Sequence, residues 1–161
     1  DIGDPFDVEA FGTVELADEE NAKFEYEAAV AMLVPLPEII DKDSPYGESI
    51  AGDVQQHALD NGWEAAAPEI QQWVEDNRPA MERWKIGTEK PDFLYQQPKD
   101  ARLDLWQWTK PYLPSDLREF QYLIRLESSR LLAERKPEYA WKWARAIMRC
   151  SRHLGQHGDG L

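Results

Sequence analysis

Two apolar stripes at helical spacing, joined by a turn too short for anything but an antiparallel return, constrain this chain more than any other feature. Leu117, Phe120, Ile124 and Leu131 line one face of a stretch that Ser115 is placed to cap, with Asp116 behind the cap and Leu123 beside the stripe. Ala140, Trp143, Ala144, Ile147, Ser151 and Leu154 line the next stretch. Its final turns carry Arg149, Arg152 and His153, where the helix dipole favours positive charge, and Gly155 is placed to end it. The turn lies around Arg135, Lys136 and Pro137. Matching stripes and a tight connection predict an antiparallel αα-hairpin.

The rest of the chain carries no period-2 run and few β-branched residues, so it is expected to be all-α: an irregular bundle of about six helices closed by that hairpin, forming a single domain over 1–161. Residues 1–17 read as an irregular arm, punctuated by Gly3, Pro5 and Gly12, that Phe6, Val8, Phe11, Val14 and Leu16 would pin to the body. Asp18 is a candidate N-cap for a helix bearing Ala22, Tyr26, Ala29, Val30 and Leu33, which Pro35 and Pro37 stop near Val34. A long acidic loop is expected over 35–62, with room for a short helix through Val54–Leu59. Pro68 suits the first turn of a helix carrying Ile70, Trp73, Val74 and Asn77. Pro79 ends that helix or begins the next, which runs through Met81, Trp84 and Lys85 to Gly87. Phe93, Leu94 and Tyr95 are expected to pack, and Leu103, Leu105, Trp106 and Trp108 suggest one more short helix. There is no internal repeat.

Charge is placed unevenly. Residues 1–60 hold 16 acidic and 2 basic residues, whereas 61–161 hold 15 acidic and 16 basic ones, within a net charge of −13. Phosphates would be repelled by the first half, which argues against nucleic acid and anionic membranes as partners. Internal attraction between the halves is one expectation. The single cysteine, Cys150, excludes an internal disulfide. No apolar run approaches the length of about 18 residues needed to span a bilayer, so this segment itself is not expected to contact a membrane. The chain starts at Asp1 rather than Met, which points to an upstream part, an anchor among the options, trimmed away.

Chemical signatures are sparse. No phosphate loop, dinucleotide glycine pattern, H-E-x-x-H or G-x-S-x-G is present, and no cofactor is implied. Asp41-Lys42-Asp43 with Gly47 resembles a calcium loop, but the glycine falls one place late and the twelfth position is Gly52. Cys150, His153, His157 and Asp159 are ligand types that suit zinc and lie within ten residues. Against that stands the plainer account of a buried cysteine and a helix-terminal histidine, with Gly155 interrupting the spacing. Trp141 and Trp143, two apart on a helix, cannot share a face. Trp143 belongs to the apolar stripe, leaving Trp141 as an edge residue or an exposed platform for a partner. Lys142, Arg145, Arg149 and Arg152 form a basic stripe beside it. Glu127, near the apolar stripe of its helix, has Arg125 and Arg130 as candidate ion-pair partners.

The runs Asp18-Glu19-Glu20-Asn21-Ala22 with Tyr26 and Ala29, Trp73 to Ala80, and Gly87 to Asp92 are similar to segments of uncharacterised helical proteins of planctomycete-type bacteria. The closing Ser151-Arg152-His153-Leu154 resembles the end of their last helical hairpin. Asn77-Arg78-Pro79-Ala80 after an aromatic helix is the most specific element. The resemblance implies an extracytoplasmic helical body behind an N-terminal anchor. It carries no activity and transfers no functional residue. This chain departs by lacking the anchor and by stopping at Leu161. Taken together, the residues favour an interaction or scaffold module with a protein partner; the resemblance alone implies the bacterial cell envelope, with the cytoplasm as the alternative. The competing reading is a hydrolase using acidic-loop carboxylates or a metal near His153.

Overall fold

The computed structural model describes residues 16–43, 47–94 and 113–156. Six α-helices follow in order: α1 Lys23–Ala31, α2 Ala51–Asn61, α3 Pro68–Asp76, α4 Arg78–Glu89, α5 Leu113–Ala133 and α6 Pro137–Gln156, with a 3₁₀ turn at Trp63–Ala65. Among the described residues there is no strand, only isolated bridges at Asn21–Asp92 and Ile40–Ser49. The regular structure of the described residues is all-helical, as the periodicity predicts.

The terminal hairpin is the backbone of the molecule. Leu117, Phe120, Leu123, Ile124, Leu126 and Leu131 of α5 are buried, as are Ala140, Trp143, Ala146 and Cys150 of α6. Arg135, at φ 59°, makes the reversal. Its amide donates to the Leu132 carbonyl, and that of Lys136 to the Leu131 carbonyl, so the end of α5 is closed by backbone hydrogen bonds. The buried face of α6 is rotated from the expected one. Ser151 is exposed and Ala144, Ile147 and Leu154 are half-buried, while Ala146, Cys150 and His153 point inward. The rotation follows from a third neighbour, α4, which packs on α6 beside α5.

Helix ends differ from the sequence expectations. Asp18 lies in a turn before α1 and does not cap it. Asn21 serves instead: its Oδ1 accepts from the amides of Lys23 at 3.0 Å and Leu94 at 3.1 Å, and its Nδ2 donates to the Leu94 carbonyl at 3.0 Å. One buried side chain thus starts α1 and ties it to the segment after α4. That helix α1 stops at Ala31, short of Val34. Ser115 falls inside the first turn of α5, which begins at Leu113 beside Pro114. Neither Gly87 nor Gly155 ends a helix, since α4 continues to Glu89 and α6 to Gln156. In the stretch 35–62 the short helix allowed for at Val54–Leu59 is present and longer, since α2 fills the second half. Gly62, at φ 89°, makes the exit from α2 that a side chain would strain.

A second tie is Asn77, buried between α3 and α4. Its Oδ1 accepts from the Val34 amide at 2.9 Å while its Nδ2 donates to the Val34 carbonyl at 3.0 Å. The Trp73 indole N–H donates to the same carbonyl at 2.9 Å. Helix α1 packs most intimately against α4. Gly87 permits this, because a Cβ there would lie 2.7 Å from Cε1 and 2.8 Å from Cδ1 of the Tyr26 ring. Tyr26 is the hub of the aromatic core, with ring centroids 6.2 Å from Trp84 and 5.6 Å from Phe93; Trp84 in turn stacks on Phe120 at 5.8 Å. Phe93 therefore packs as expected. The arm 1–15, Tyr95 and the Leu103–Trp108 stretch lie outside the described residues.

Candidate functional site

Three places concentrate polar chemistry or unpartnered surface. The first is the outer face of α6. Trp141, Arg145, Met148 and Arg152 are spaced by four, three and four residues, so they form one ridge directly opposite the buried Trp143, Ala146 and Cys150. Trp141 is 57% exposed and Met148 59%, whereas Trp143 is 7% exposed. Two tryptophans at a spacing of two have thus separated to opposite faces. Beside the ridge a shallow groove of about 340 Å³ runs between α2, α5 and α6. Leu59, Leu132, Ala144 and Ile147 line it, with Arg125 and Ser128 at its edge. Leu132 is itself 58% exposed.

The cations on this face are largely uncommitted. Arg149 approaches Glu89 at 4.0 Å, and Lys142 lies 4.8 Å from the centroid of the Tyr139 ring. Among the described residues, Arg125, Lys142, Arg145 and Arg152 have no carboxylate within ion-pairing distance. Among the described residues no ion pair joins the acidic first half to this stripe, and Arg83 to Glu25 at 2.5 Å, on α4 and α1, is an ion pair between the halves. Glu127 pairs with Arg130, not Arg125, through two parallel bonds of 2.7 Å, and Arg130 also engages Glu134. Those hydrogen bonds, Glu127 foremost, hold the Arg130 guanidinium still more firmly protonated than usual.

The second place is the buried end of α6. His153 is 1% exposed. Its Nδ1 lies 2.8 Å from the Tyr26 hydroxyl and its Nε2 3.1 Å from the Lys90 carbonyl. A carbonyl can only accept, so Nε2 carries the proton, and Nδ1 accepts from Tyr26. Both nitrogens are occupied by the neutral ring. Burial lowers the His153 pKa and the Arg152 charge adds to that, against the Lys90 carbonyl and Asp92, which favour the protonated form. Cys150 sits one turn away. Burial pushes its thiol up to about 11, opposed by the Tyr26 hydroxyl and the Trp84 indole beside it. Burial likewise raises the Tyr26 phenol. Neutral, enclosed and hydrogen-bonded groups of this kind join helices. They do not present a nucleophile or a lone pair to an incoming ligand. Cys150 and His153 are therefore adjacent but engaged, and His157 and Asp159 lie outside the described residues. Among the described residues no three His, Cys, Asp or Glu side chains converge as a metal site. Asp41 spends one oxygen on the Asp43 amide at 2.9 Å, closing a local turn.

The third place is a cleft of about 410 Å³ between the end of α1, α2, α3 and α5. Leu33, Leu36 and Trp73 give it apolar walls, and Gln55 and Glu119 add polar groups. The sequence points to neither polar residue, since nothing in the local pattern marks Gln55 or Glu119 as facing a shared space. The Tyr26–His153 pair, 127 residues apart, is equally invisible to local periodicity. The ridge on α6 is different, because its spacing is written in the sequence and Met148 could have been read with Trp141.

No helix among the described residues is long and apolar enough to cross a membrane. Compared with known proteins, the chain matches no protein family, no curated protein and no solved structure.

Proposed function

We propose that this protein is a helical interaction module whose α6 outer face docks an acidic, amphipathic helical segment of a partner protein. The observation that carries the reading is the ridge of Trp141, Arg145, Met148 and Arg152, in which large exposed apolar side chains alternate with cations that form no ion pair among the described residues. Tryptophan and arginine are the residues that most often dominate binding energy at interfaces. Helix-in-groove recognition needs an apolar strip flanked by charge, and the Leu132–Ile147 groove beside the ridge supplies a second strip. Uncommitted arginines select for acidic partners over basic ones. The envelope setting is part of the same proposal and rests on the resemblance to planctomycete-type helical proteins. No convergence of carboxylates or ligand set among the described residues favours the hydrolase reading.

The test uses amphipathic helical peptides with one leucine-rich face and an outer face of Glu, compared with the same peptides carrying Lys. The Glu peptides should bind and perturb the α6 ridge by NMR, with affinity falling about tenfold or more in Trp141→Ala or Arg145→Glu. Equal binding of the Lys series, or binding indifferent to both substitutions, would overturn the proposal.

A further inference from the structure

Helix α1 presents a second exposed ridge. Ala22, Tyr26 and Ala29 bury one side of this helix and its start. On the side turned away from them lie Glu20, in the turn before α1, and then Phe24, Glu27 and Ala31. These four follow at spacings of four, three and four residues, and all are exposed, Phe24 to 43%. Among the described residues neither Glu20 nor Glu27 forms an ion pair; Glu25, on the side toward α4, does so with Arg83. The α6 ridge of Trp141, Arg145, Met148 and Arg152 has the same spacing and the complementary pattern. One ridge reads acid, apolar, acid, apolar; the other reads apolar, cation, apolar, cation. Laid antiparallel, the two match at every position. Glu20 meets Arg152, Phe24 meets Met148, Glu27 meets Arg145, and the small Ala31 leaves room for the Trp141 ring. Laid parallel, neither acid meets a cation, because Glu20 falls on Trp141 and Glu27 on Met148. The two ridges cannot meet within one copy. Both helices pack on α4 through their inner faces, where Tyr26 of α1 bonds His153 of α6, and both ridges point away from that contact.

We propose that the α6 ridge is occupied by a second copy of this chain, whose α1 ridge lies antiparallel across it. This names the occupant of the docking face proposed above and rests on that reading, since α1 is itself an acidic, amphipathic helical segment. The ion pairs fix direction and register, and the apolar contacts between them hold the helices together. The contact is head-to-tail. Each added copy leaves one α1 ridge and one α6 ridge open until a ring closes. The matched ridges run for about three helical turns, which makes a small interface and a weak, reversible association. Each copy carries a net charge of −13. Exposed charges are screened beyond about 8 Å at ordinary ionic strength, so the local pairing outweighs the overall repulsion.

Sedimentation velocity on the whole chain at about 0.15 M salt tests the proposal by charge exchange. The average mass of the wild type should rise with concentration between about 10 μM and 1 mM. Glu27→Lys and Arg145→Glu both alter exposed side chains and should melt as the wild type does. Alone, each places like charges opposite one another, so each should associate about tenfold or more weakly. An equimolar mixture of the two should associate as the wild type does. In it the α1 ridge of each variant meets an opposite charge on the α6 ridge of the other. A wild type that stays monomeric to about 1 mM, association unchanged in either variant alone, or a mixture that associates no better than its components would each overturn the proposal. Glu peptides that bind the α6 ridge of a wild type monomeric throughout would leave the docking face standing and overturn only the second copy as its occupant.

Discussion

His153 is neutral in the fold for a reason that can be titrated. Folded, it is buried between the Tyr26 hydroxyl and the Lys90 carbonyl, and its pKa lies below the ordinary 6.5. Unfolded, it takes up a proton near 6.5. Its contribution to stability is therefore complete above that value and is lost as pH falls from there toward the folded pKa. The groups facing it are Tyr26 of α1, Cys150 and Arg152 of α6, and Lys90 and Asp92 after α4. Of these, Arg152 opposes protonation and Asp92 favours it. Urea midpoints should drop between pH 7 and pH 5, about the range of histidine titration. In His153→Gln that part of the drop should be absent; an unchanged profile would mean that other groups control it. Gly87 makes a second residue-scale prediction. Alanine is the better helix former by about 1 kcal/mol. Its methyl would nonetheless meet the Tyr26 ring at 2.7 Å, and that ring is fully buried and held by His153. Gly87→Ala should therefore destabilise by about 1–3 kcal/mol, as overpacking usually does. A stabilised variant in thermal melts would show that α1 and α4 can move apart.

At the scale of elements, the hairpin and its third neighbour set the stability. Trp143 is buried between α5 and α4, with the Lys85 ammonium 4.8 Å from its ring centroid. Trp143→Ala should cost about 3–5 kcal/mol, measured by chemical denaturation. A value within about 0.5 kcal/mol of wild type, the range typical of surface substitutions, would contradict the packing. On α5, Arg130 serves the buried Glu127 through both carboxylate oxygens, and Glu127 is 6% exposed. Removing the arginine alone leaves a buried carboxylate unpaired, so Arg130→Ala should cost about 3 kcal/mol, whereas replacing both by a leucine and a methionine should cost far less. Equal losses in the single and double variants would mean that the pair is not coupled.

For the molecule as a whole, the question is where the net charge of −13 acts. Among the described residues the basic stripe on α6 forms no ion pair with a carboxylate of residues 1–60, which leaves its charges open to a partner. Reversing Arg145 and Arg149 to Glu should change stability by less than about 0.5 kcal/mol, with no salt dependence beyond that of the wild type. A larger loss that shrinks in high salt would show the stripe to be an internal partner of the acidic half instead of a surface for another protein.

The helical class, the hairpin and the separation of Trp141 from Trp143 were legible because each depends only on the 3.6-residue period of a chain already committed to helix. Local patterns could go no further. The face of α6 turned by about one residue because α4 packs on it as well as α5, and no periodicity within α6 reports a second neighbour. Asp18 and Ser115 were good caps by composition, yet it is Asn21, just before α1, whose side chain accepts from the Lys23 amide and also reaches Leu94, 73 residues away. Gly155 and Gly87 looked like helix ends because glycine is a weak helix former; tertiary packing carried α4 past Gly87, where its missing side chain admits Tyr26. The sequence by itself therefore determined which segments are helical and which residues cannot share a face. The tertiary structure alone decided that His153 is buried against Tyr26 and which arginines form no ion pair among the described residues. Each of those depends on contacts between residues far apart in the chain, where local periodicity carries no information.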